Sequence, residues 1–159
     1  MSVSLESHLP DPEATISFGK QLATHLKQGC VVYLHGELGA GKTTLVRSVL
    51  QGLNYQERVK SPTYTLVERH DLDDLTVFHF DLYRLADSEE LEFLGIRDYL
   101  DGNSLVFIEW PERGEGFLPA ADIDIKLAYD NDARRIECVA LTNKGEECLE
   151  PLAGQIAKI

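Results

Sequence analysis

The sequence predicts a three-layer α/β domain in which helices cover a mixed, mostly parallel central sheet. Short apolar runs rich in β-branched residues alternate with segments of helical periodicity. A glycine-rich loop lies between one such run and a helical segment, and alternating apolar residues near the C-terminus indicate an antiparallel hairpin. The 159 residues are 43% hydrophobic and contain no evident linker, so residues 1–159 are expected to form one domain.

The N-terminal third predicts a helix, a buried strand and a second helix. Asp11-Pro12-Glu13 combines a capping side chain, a proline suited to the first helical turn and an acidic residue, which indicates a helix ending near residue 28. Residues 30–35 are continuously apolar, as a buried parallel strand requires. Leucine and valine then recur at helical spacing up to about residue 53.

The middle of the chain predicts a hairpin, a helix and another buried strand. The β-like runs 65–70 and 76–80 flank a polar loop of several residues. Residues 87–94 begin with Asp87-Ser88-Glu89-Glu90, which resembles a capping box, and a short helical piece is expected over 96–100. Residues 105–108 form the next buried strand.

The C-terminal third predicts a loop over 111–121 followed by a second hairpin. Apolar residues alternate with polar ones over 123–128, and the run 136–141 returns after a turn at Asp130-Asn131-Asp132. The last ten or so residues are expected to be frayed or lightly packed.

Residues 36–43 form a complete phosphate-binding loop (P-loop), G-x-x-x-x-G-K-[ST], between a predicted strand and a predicted helix. Its glycines let the backbone direct N–H groups at phosphate oxygens, and the helix N-terminus adds its positive dipole. Lys42 is placed to reach the β- and γ-phosphates, and the Thr43 hydroxyl to ligate Mg²⁺. The sequence therefore predicts a P-loop NTPase fold. The residues expected around the phosphates are Glu37, Leu38, Gly39, Ala40, Gly41, Lys42, Thr43 and Thr44.

Two carboxylates follow apolar runs and are candidates for the metal site. Asp81 follows the run 77–80, and Glu109 follows 105–108. The crevice at the C-terminal ends of such strands is where the second metal-site element of P-loop enzymes lies. The sequence does not rank the two; we expect Glu109 in the Mg²⁺ shell, and Asp81 ligating through water or positioning the attacking water. Thr63, in the loop after Pro62, is a candidate switch residue.

Composition limits the class of partner. The formal net charge is −12, and the basic residues are scattered, so tight independent binding of nucleic acid is not expected. The acidity favours solubility or docking to a basic protein surface. No apolar run is long enough to span a membrane, and the N-terminus does not resemble a signal peptide. The three cysteines are odd in number and have no C-x-x-C spacing, which fits a reducing cytoplasm.

Five motifs together resemble the TsaE (YjeE) family of small bacterial ATPases over about residues 8–142. They are the P-loop with Thr44, then Ser61-Pro62-Thr63-Tyr64-Thr65, His79-Phe80-Asp81-Leu82-Tyr83-Arg84, Glu90-Leu91-Glu92-Phe93-Leu94-Gly95 and Ile108-Glu109-Trp110-Pro111. The resemblance implies a role in making N6-threonylcarbamoyladenosine at position 37 of tRNA. It further implies ATP hydrolysis that supports multiple turnover by a TsaB–TsaD pair, with tRNA engaged only through that complex.

The resemblance also assigns roles to individual residues. Lys42 and Thr43 would hold phosphate and Mg²⁺, Thr63 would be the switch threonine, and Asp81 and Glu109 would be the acids required for hydrolysis. Arg134 and the segment from Pro10 to Thr15 are weaker candidates for flanking the adenine. No arginine finger is evident in the sequence, so slow turnover alone and stimulation by the partner are expected.

Three other functions remain open on the residues alone. A small GTPase would carry N-K-x-D, and the nearest string, Asn143-Lys144-Gly145-Glu146, ends in Glu; the D-x-x-G switch signature is missing too. A nucleotide-dependent kinase would need a lid with several arginines, and the loop around Arg113 has few. A regulatory binder that does not hydrolyse nucleotide would tolerate loss of Asp81 or Glu109.

Overall fold

A computed structural model describes residues 3–26, 29–60, 62, 65–96 and 102–157. Within these residues, seven strands and four helices follow one another. The strands are β1 Ser4–Leu9, β2 Val31–His35, β3 Val67–Asp71, β4 Thr76–Asp81, β5 Leu105–Glu109, β6 Ile123–Asp130 and β7 Ala133–Ala140. The helices are α1 Pro12–Ala23, α2 Lys42–Gly52, α3 Glu90–Phe93 and α4 Asn143–Ala157, with a 3₁₀ turn at Pro111–Gly114.

All seven strands belong to one mixed sheet in the order β1-β7-β6-β2-β5-β4-β3. The four central strands β6, β2, β5 and β4 are parallel to one another, whereas β3 at one side and β7 and β1 at the other pair in antiparallel fashion. Both predicted hairpins, β3–β4 and β6–β7, are present. The predicted α/β class with a sheet that is parallel around its centre is therefore confirmed.

A separate hydrophobic core covers each face of the sheet. Leu105 and Phe107 of β5 pack into the larger core with α1, α2 and α4. Val106 and Ile108 point to the opposite face, where a smaller core includes Leu91 of α3. The sheet thus lies between a thick helical layer and a thin layer made of α3 and the loops around it.

Helix α1 begins as predicted and ends early. The Asp11 side chain accepts a hydrogen bond from Ala14 N at 2.9 Å, and Pro12 takes the first helical position. The helix ends at Ala23, short of residue 28, because the Thr24 hydroxyl and backbone N–H both bond to the Gln21 carbonyl and close the last turn. Helix α3 is likewise shorter than predicted, and most of the piece expected over 96–100 lies outside the described residues.

The expectation of a frayed C-terminus was wrong. Helix α4 runs to Ala157 and packs against β7, β1 and α1. Cys148, Leu149 and Leu152 have no exposed surface, so this helix closes the core. Strand β1, which the sequence analysis did not predict, pairs with β7 along its full length. In the part of the chain that the structure describes, no helix is long and apolar enough to cross a bilayer.

Candidate nucleotide and metal site

The P-loop joins the end of β2 to the start of α2 and forms a cradle of backbone. Gly39 and Gly41 have φ values of 80° and 109°, a left-handed region in which a Cβ would be strained. The first helical hydrogen bond runs from Leu45 N to Gly41 O at 2.9 Å, so the backbone N–H groups of residues 41–44 have no acceptor within the helix. These donors and the helix dipole suit the cradle to an anion such as phosphate.

Lys42 lies inside this cradle with only 4% of its surface exposed. Its ammonium group donates to the Gly36 carbonyl and lies 4.0 Å from the centre of the Trp110 ring. Burial lowers the pKa of Lys42, and the carboxylates of Glu109, Asp81 and Glu112 oppose that shift. The lysine is thus held at the loop by a hydrogen bond to a carbonyl oxygen, an acceptor that a phosphate oxygen could replace.

Glu109 ends the buried strand β5 and lies directly against the start of α2. Its Oε2 accepts a hydrogen bond from the Thr43 hydroxyl at 3.1 Å, and Oε2 lies 2.5 Å from Nε2 of His79. Only 3% of Glu109 is exposed. A carboxylate and a hydroxyl in contact at a P-loop are the oxygen donors that Mg²⁺ prefers, so this donor set fits the cation.

Asp81 lies beside Glu109 because β4 and β5 are parallel and the two residues are register partners. The Asp81 carboxylate is half-buried, and Oδ1 accepts a hydrogen bond from Tyr83 N at 3.1 Å. Burial raises the pKa of Asp81, with a further rise from Glu109, while the Tyr83 N–H lowers it. Asp81 has no recorded bond to Thr43, so geometry places Glu109 closer to the P-loop hydroxyl.

A cavity of about 340 Å³ opens above these groups. It is lined by P-loop residues, both carboxylates and three further residues of the two motifs that contain them. Those three are Tyr83, Arg84 and Trp110. Sequence reasoning gave Tyr83 and Arg84 no role; their place two and three residues after Asp81 was the signal that could have identified them.

A smaller cavity of about 140 Å³ adjoins the P-loop on its other side. Thr15 and Arg134, two of the candidates for flanking adenine, both line it, together with Gly39 and Gly41. Pro10 does not line it, although its neighbours Leu9 and Asp11 do.

The hairpin β6–β7 also holds the P-loop from this side. Tyr129 donates its hydroxyl to the Leu38 carbonyl at 2.6 Å, and the Arg134 guanidinium lies 4.1 Å from the Tyr129 ring. Sequence reasoning missed Tyr129, because its partner lies 91 residues away. The candidate switch residue Thr63 lies outside the described residues.

His35, immediately before the loop, makes structural contacts. Its Nε2 lies 2.6 Å from Oδ1 of Asp124 on the neighbouring strand. This contact links the end of β2 to β6.

The chain matches one protein family over most of its length. Residues 9–136 match the profile of the family described as threonylcarbamoyl adenosine biosynthesis protein TsaE. A Haemophilus influenzae protein named tRNA threonylcarbamoyladenosine biosynthesis protein TsaE is 51% identical over 92% of this chain and 96% of its own. The Bacillus subtilis protein of the same name is 37% identical over 90% of each chain.

A solved structure shares the fold. The crystal structure of Bacillus subtilis YdiB aligns with a TM-score of 0.81 at 29% identity and covers 98% of both chains. The family profile and these two relatives span the P-loop and both carboxylate motifs, in agreement with the resemblance found in the sequence. The chain therefore belongs to the TsaE family of tRNA threonylcarbamoyladenosine biosynthesis proteins.

Proposed function

We propose that this chain binds ATP with Mg²⁺ at the P-loop and hydrolyses it in support of a TsaB–TsaD pair that makes threonylcarbamoyladenosine in tRNA. The observation that carries the proposal is the contact between Thr43 at the start of α2 and Glu109 at the end of β5. A nucleotide binder needs only the loop, whereas hydrolysis also needs a metal carboxylate at this point.

The phosphates would be held by the loop backbone and by Lys42. Lys42 already lies within the loop, and moving its ammonium from the Gly36 carbonyl to phosphate oxygens requires only a side-chain rotation. The backbone donors of the loop are already in place before the ligand arrives, and Lys42 needs only this rotation. Charge developing on a transferred phosphoryl group would therefore be stabilised with little reorganisation.

Mg²⁺ would be held by Thr43 and Glu109, and when bound it neutralises charge on the phosphate oxygens. Because Mg²⁺ keeps several waters and takes few protein ligands, one hydroxyl and one carboxylate are sufficient. Asp81 lies one strand further out and is better placed to accept a hydrogen bond from a water molecule, either in the metal shell or in the attacking position. Thr63 is retained as the proposed switch residue.

The adenine would lie in the smaller cavity beside Thr15 and Arg134. This cavity shares Gly39, Gly41 and Thr44 with the phosphate side of the loop, so one nucleotide could reach both. The Arg134 guanidinium is planar and could stack on a base.

The partner proposal depends on the family and is supported by charge. A net charge of −12 disfavours a chain that grips tRNA on its own, and it is compatible with an ATPase that acts through a protein complex. Slow turnover alone and faster turnover with TsaB–TsaD are expected.

The deciding experiment is ATP and GTP hydrolysis by the purified chain, alone and with purified TsaB–TsaD. Lys42→Ala tests the loop, and Lys20→Ala, an exposed lysine on α1, is the matched control. We expect slow turnover selective for ATP, a rise with the partner pair, and a loss of at least about 100-fold in Lys42→Ala only. Equal rates in Lys42→Ala and wild type would contradict hydrolysis at this loop.

The two carboxylates are separated by a second comparison. Glu109→Gln should raise the Mg²⁺ concentration needed for half-maximal activity, because it weakens the metal shell. Asp81→Asn should lower kcat by about 100-fold or more with nearly unchanged nucleotide affinity, because it affects the water. The opposite pattern would assign the direct metal contact to Asp81.

A further inference from the structure

His79 is a fully buried imidazole in direct contact with Glu109. It lies on β4, none of its side chain is exposed, and its Nε2 is 2.5 Å from Oε2 of the carboxylate. A polar group so deeply buried must be satisfied by its surroundings, and here the carboxylate is the partner. The family comparison and the P-loop motif give this histidine no role.

The surroundings of His79 indicate which nitrogen carries the proton. Its Nδ1 has no hydrogen-bond partner among the described residues. A buried N–H without an acceptor is costly, so Nδ1 is best left unprotonated, and the proton belongs on Nε2. His79 therefore donates to Glu109 and does not accept from it.

Both hydrogen bonds recorded for Glu109 end on the same oxygen. Oε2 receives the Thr43 hydroxyl on one side and the His79 Nε2–H on the other. Two donors on one oxygen fix the plane of the carboxylate and leave Oε1 as the oxygen for a cation or its bound water. Without His79, the Thr43 hydroxyl would be the remaining hydrogen-bond donor to this carboxylate among the residues that the structure describes.

We propose that His79 is a positioning residue that orients Glu109 toward Mg²⁺. The inference rests on the proposed ATPase function and adds a residue to it. Residues that hydrogen-bond a metal ligand fix its orientation, and removing them weakens metal affinity or activity by about 10- to 100-fold.

The test compares His79→Phe, which keeps an aromatic ring and removes the donor, with His79→Gln, whose amide can restore a donor near the Nε2 position. His70→Phe is the matched control, because His70 is also a buried histidine of the same sheet with an unpaired nitrogen but does not bond Glu109. Two quantities are measured for each variant: the Mg²⁺ concentration that gives half-maximal ATP hydrolysis, and the Mg²⁺ concentration at half-change of Trp110 fluorescence with bound ADP. The fluorescence readout needs no turnover.

We expect His79→Phe to require about 10- to 100-fold more Mg²⁺ in both measurements while its ADP affinity without Mg²⁺ is unchanged. His79→Gln should recover most of that loss, and His70→Phe should match wild type. Wild-type Mg²⁺ dependence in His79→Phe, an equal loss in His70→Phe, or no recovery in His79→Gln would overturn the inference. Absence of ATPase activity in wild type would instead overturn the proposed function, since the Mg²⁺ dependence of ADP binding still tests His79.

Discussion

At the scale of single residues, the candidate site is a set of polar groups kept out of water. Lys42, His79 and Glu109 are each at least nine-tenths buried, and each has a charged or polar neighbour in the same cluster. Trp110 completes the cluster with a left-handed backbone, φ 57°, which is costly for a bulky residue and is typically found at functional sites. Burial strengthens these interactions because little water screens them.

Trp110 should report nucleotide binding. It is the only tryptophan of the chain and lies 4.0 Å from the Lys42 ammonium. When Lys42 turns to a phosphate, the charge beside the indole moves, so its emission should change saturably with ATP and Mg²⁺. The measurement is steady-state fluorescence; Lys42→Ala should abolish the change. A full-sized response in Lys42→Ala would show that the indole reports something other than the lysine.

His70 should make the fold less stable in mild acid. Burial, with a smaller contribution from His79, lowers the pKa of His70 below its ordinary 6.5. The unfolded chain therefore takes up a proton at His70 before the folded chain does. The stability that the neutral His70 contributes is fully present above pH 6.5. It is lost as the pH falls from 6.5 through the lower pKa that His70 has in the folded chain.

Urea unfolding at about pH 7.5 and about pH 5.5 checks this. On going from the higher to the lower pH, the free energy of unfolding should fall in both proteins, and by about 1 kcal/mol less in His70→Phe than in wild type. Identical losses in the two proteins would contradict a buried, neutral His70.

At the scale of elements, α1 and α2 approach closely through small residues. A Cβ on Gly19 would lie 2.5 Å from the Ser48 Cβ, and one on Gly52 would lie 2.7 Å from the Ala23 Cβ. This packing positions α2, whose first turn carries the phosphate donors. The helix pair is therefore part of what holds the P-loop against the sheet.

Gly19→Ala should destabilise the protein even though alanine favours helix. The clash with Ser48 should cost more than the gain in propensity of about 1 kcal/mol, leaving a net loss of about 1–2 kcal/mol. Gly154→Ala in α4 is the matched control, since a Cβ there would meet nothing within 4 Å. It should gain up to about 1 kcal/mol in chemical unfolding. Stabilisation by both substitutions would show that α1 and α2 can separate freely.

At the scale of the whole molecule, the two ends of the chain complete the core. Strand β1 extends the sheet beyond β7, and α4 packs over both strands. A hydrogen bond with the Cys148 thiol of α4, together with burial, raises the pKa of the Cys30 thiol before β2. This contact joins the C-terminal helix to the strand that leads into the P-loop.

Leu152→Ala should therefore reduce stability substantially. Leu152 has no exposed surface, and truncating such a leucine costs about 2–5 kcal/mol. Glu150→Ala, two residues earlier on the exposed side, should stay within about 0.5 kcal/mol of wild type. Thermal and urea unfolding of both variants provide the measurement. A Leu152→Ala protein as stable as wild type would mean that α4 is detached in solution.

The sequence by itself determined the elements whose signals are local. The P-loop needs its glycines and lysine in consecutive order, the buried strands are continuous apolar runs, and the turn at Asp130–Asp132 joins β6 to β7 as expected. Helix α4 was not predicted because Gly145, Pro151 and Gly154 lower the helix propensity of this segment. The helix forms nevertheless because its buried side chains pack on the core, which outweighs that cost. Strand β1 escaped because its partner strand lies about 130 residues away.

Only the tertiary structure decided how the site is assembled. Sequence placed Asp81 and Glu109 at strand ends without ranking them, whereas the pairing of β5 with β2 brings Glu109 beside Leu34 at the entrance to the P-loop, where it contacts Thr43. The register of β4 with β5 brings His79 to the same carboxylate, a contact between residues 30 positions apart. The local sequence shows which side chains could take part in the chemistry. The distances between those side chains depend on the register of strands that are far apart in the chain, and no local pattern specifies that register.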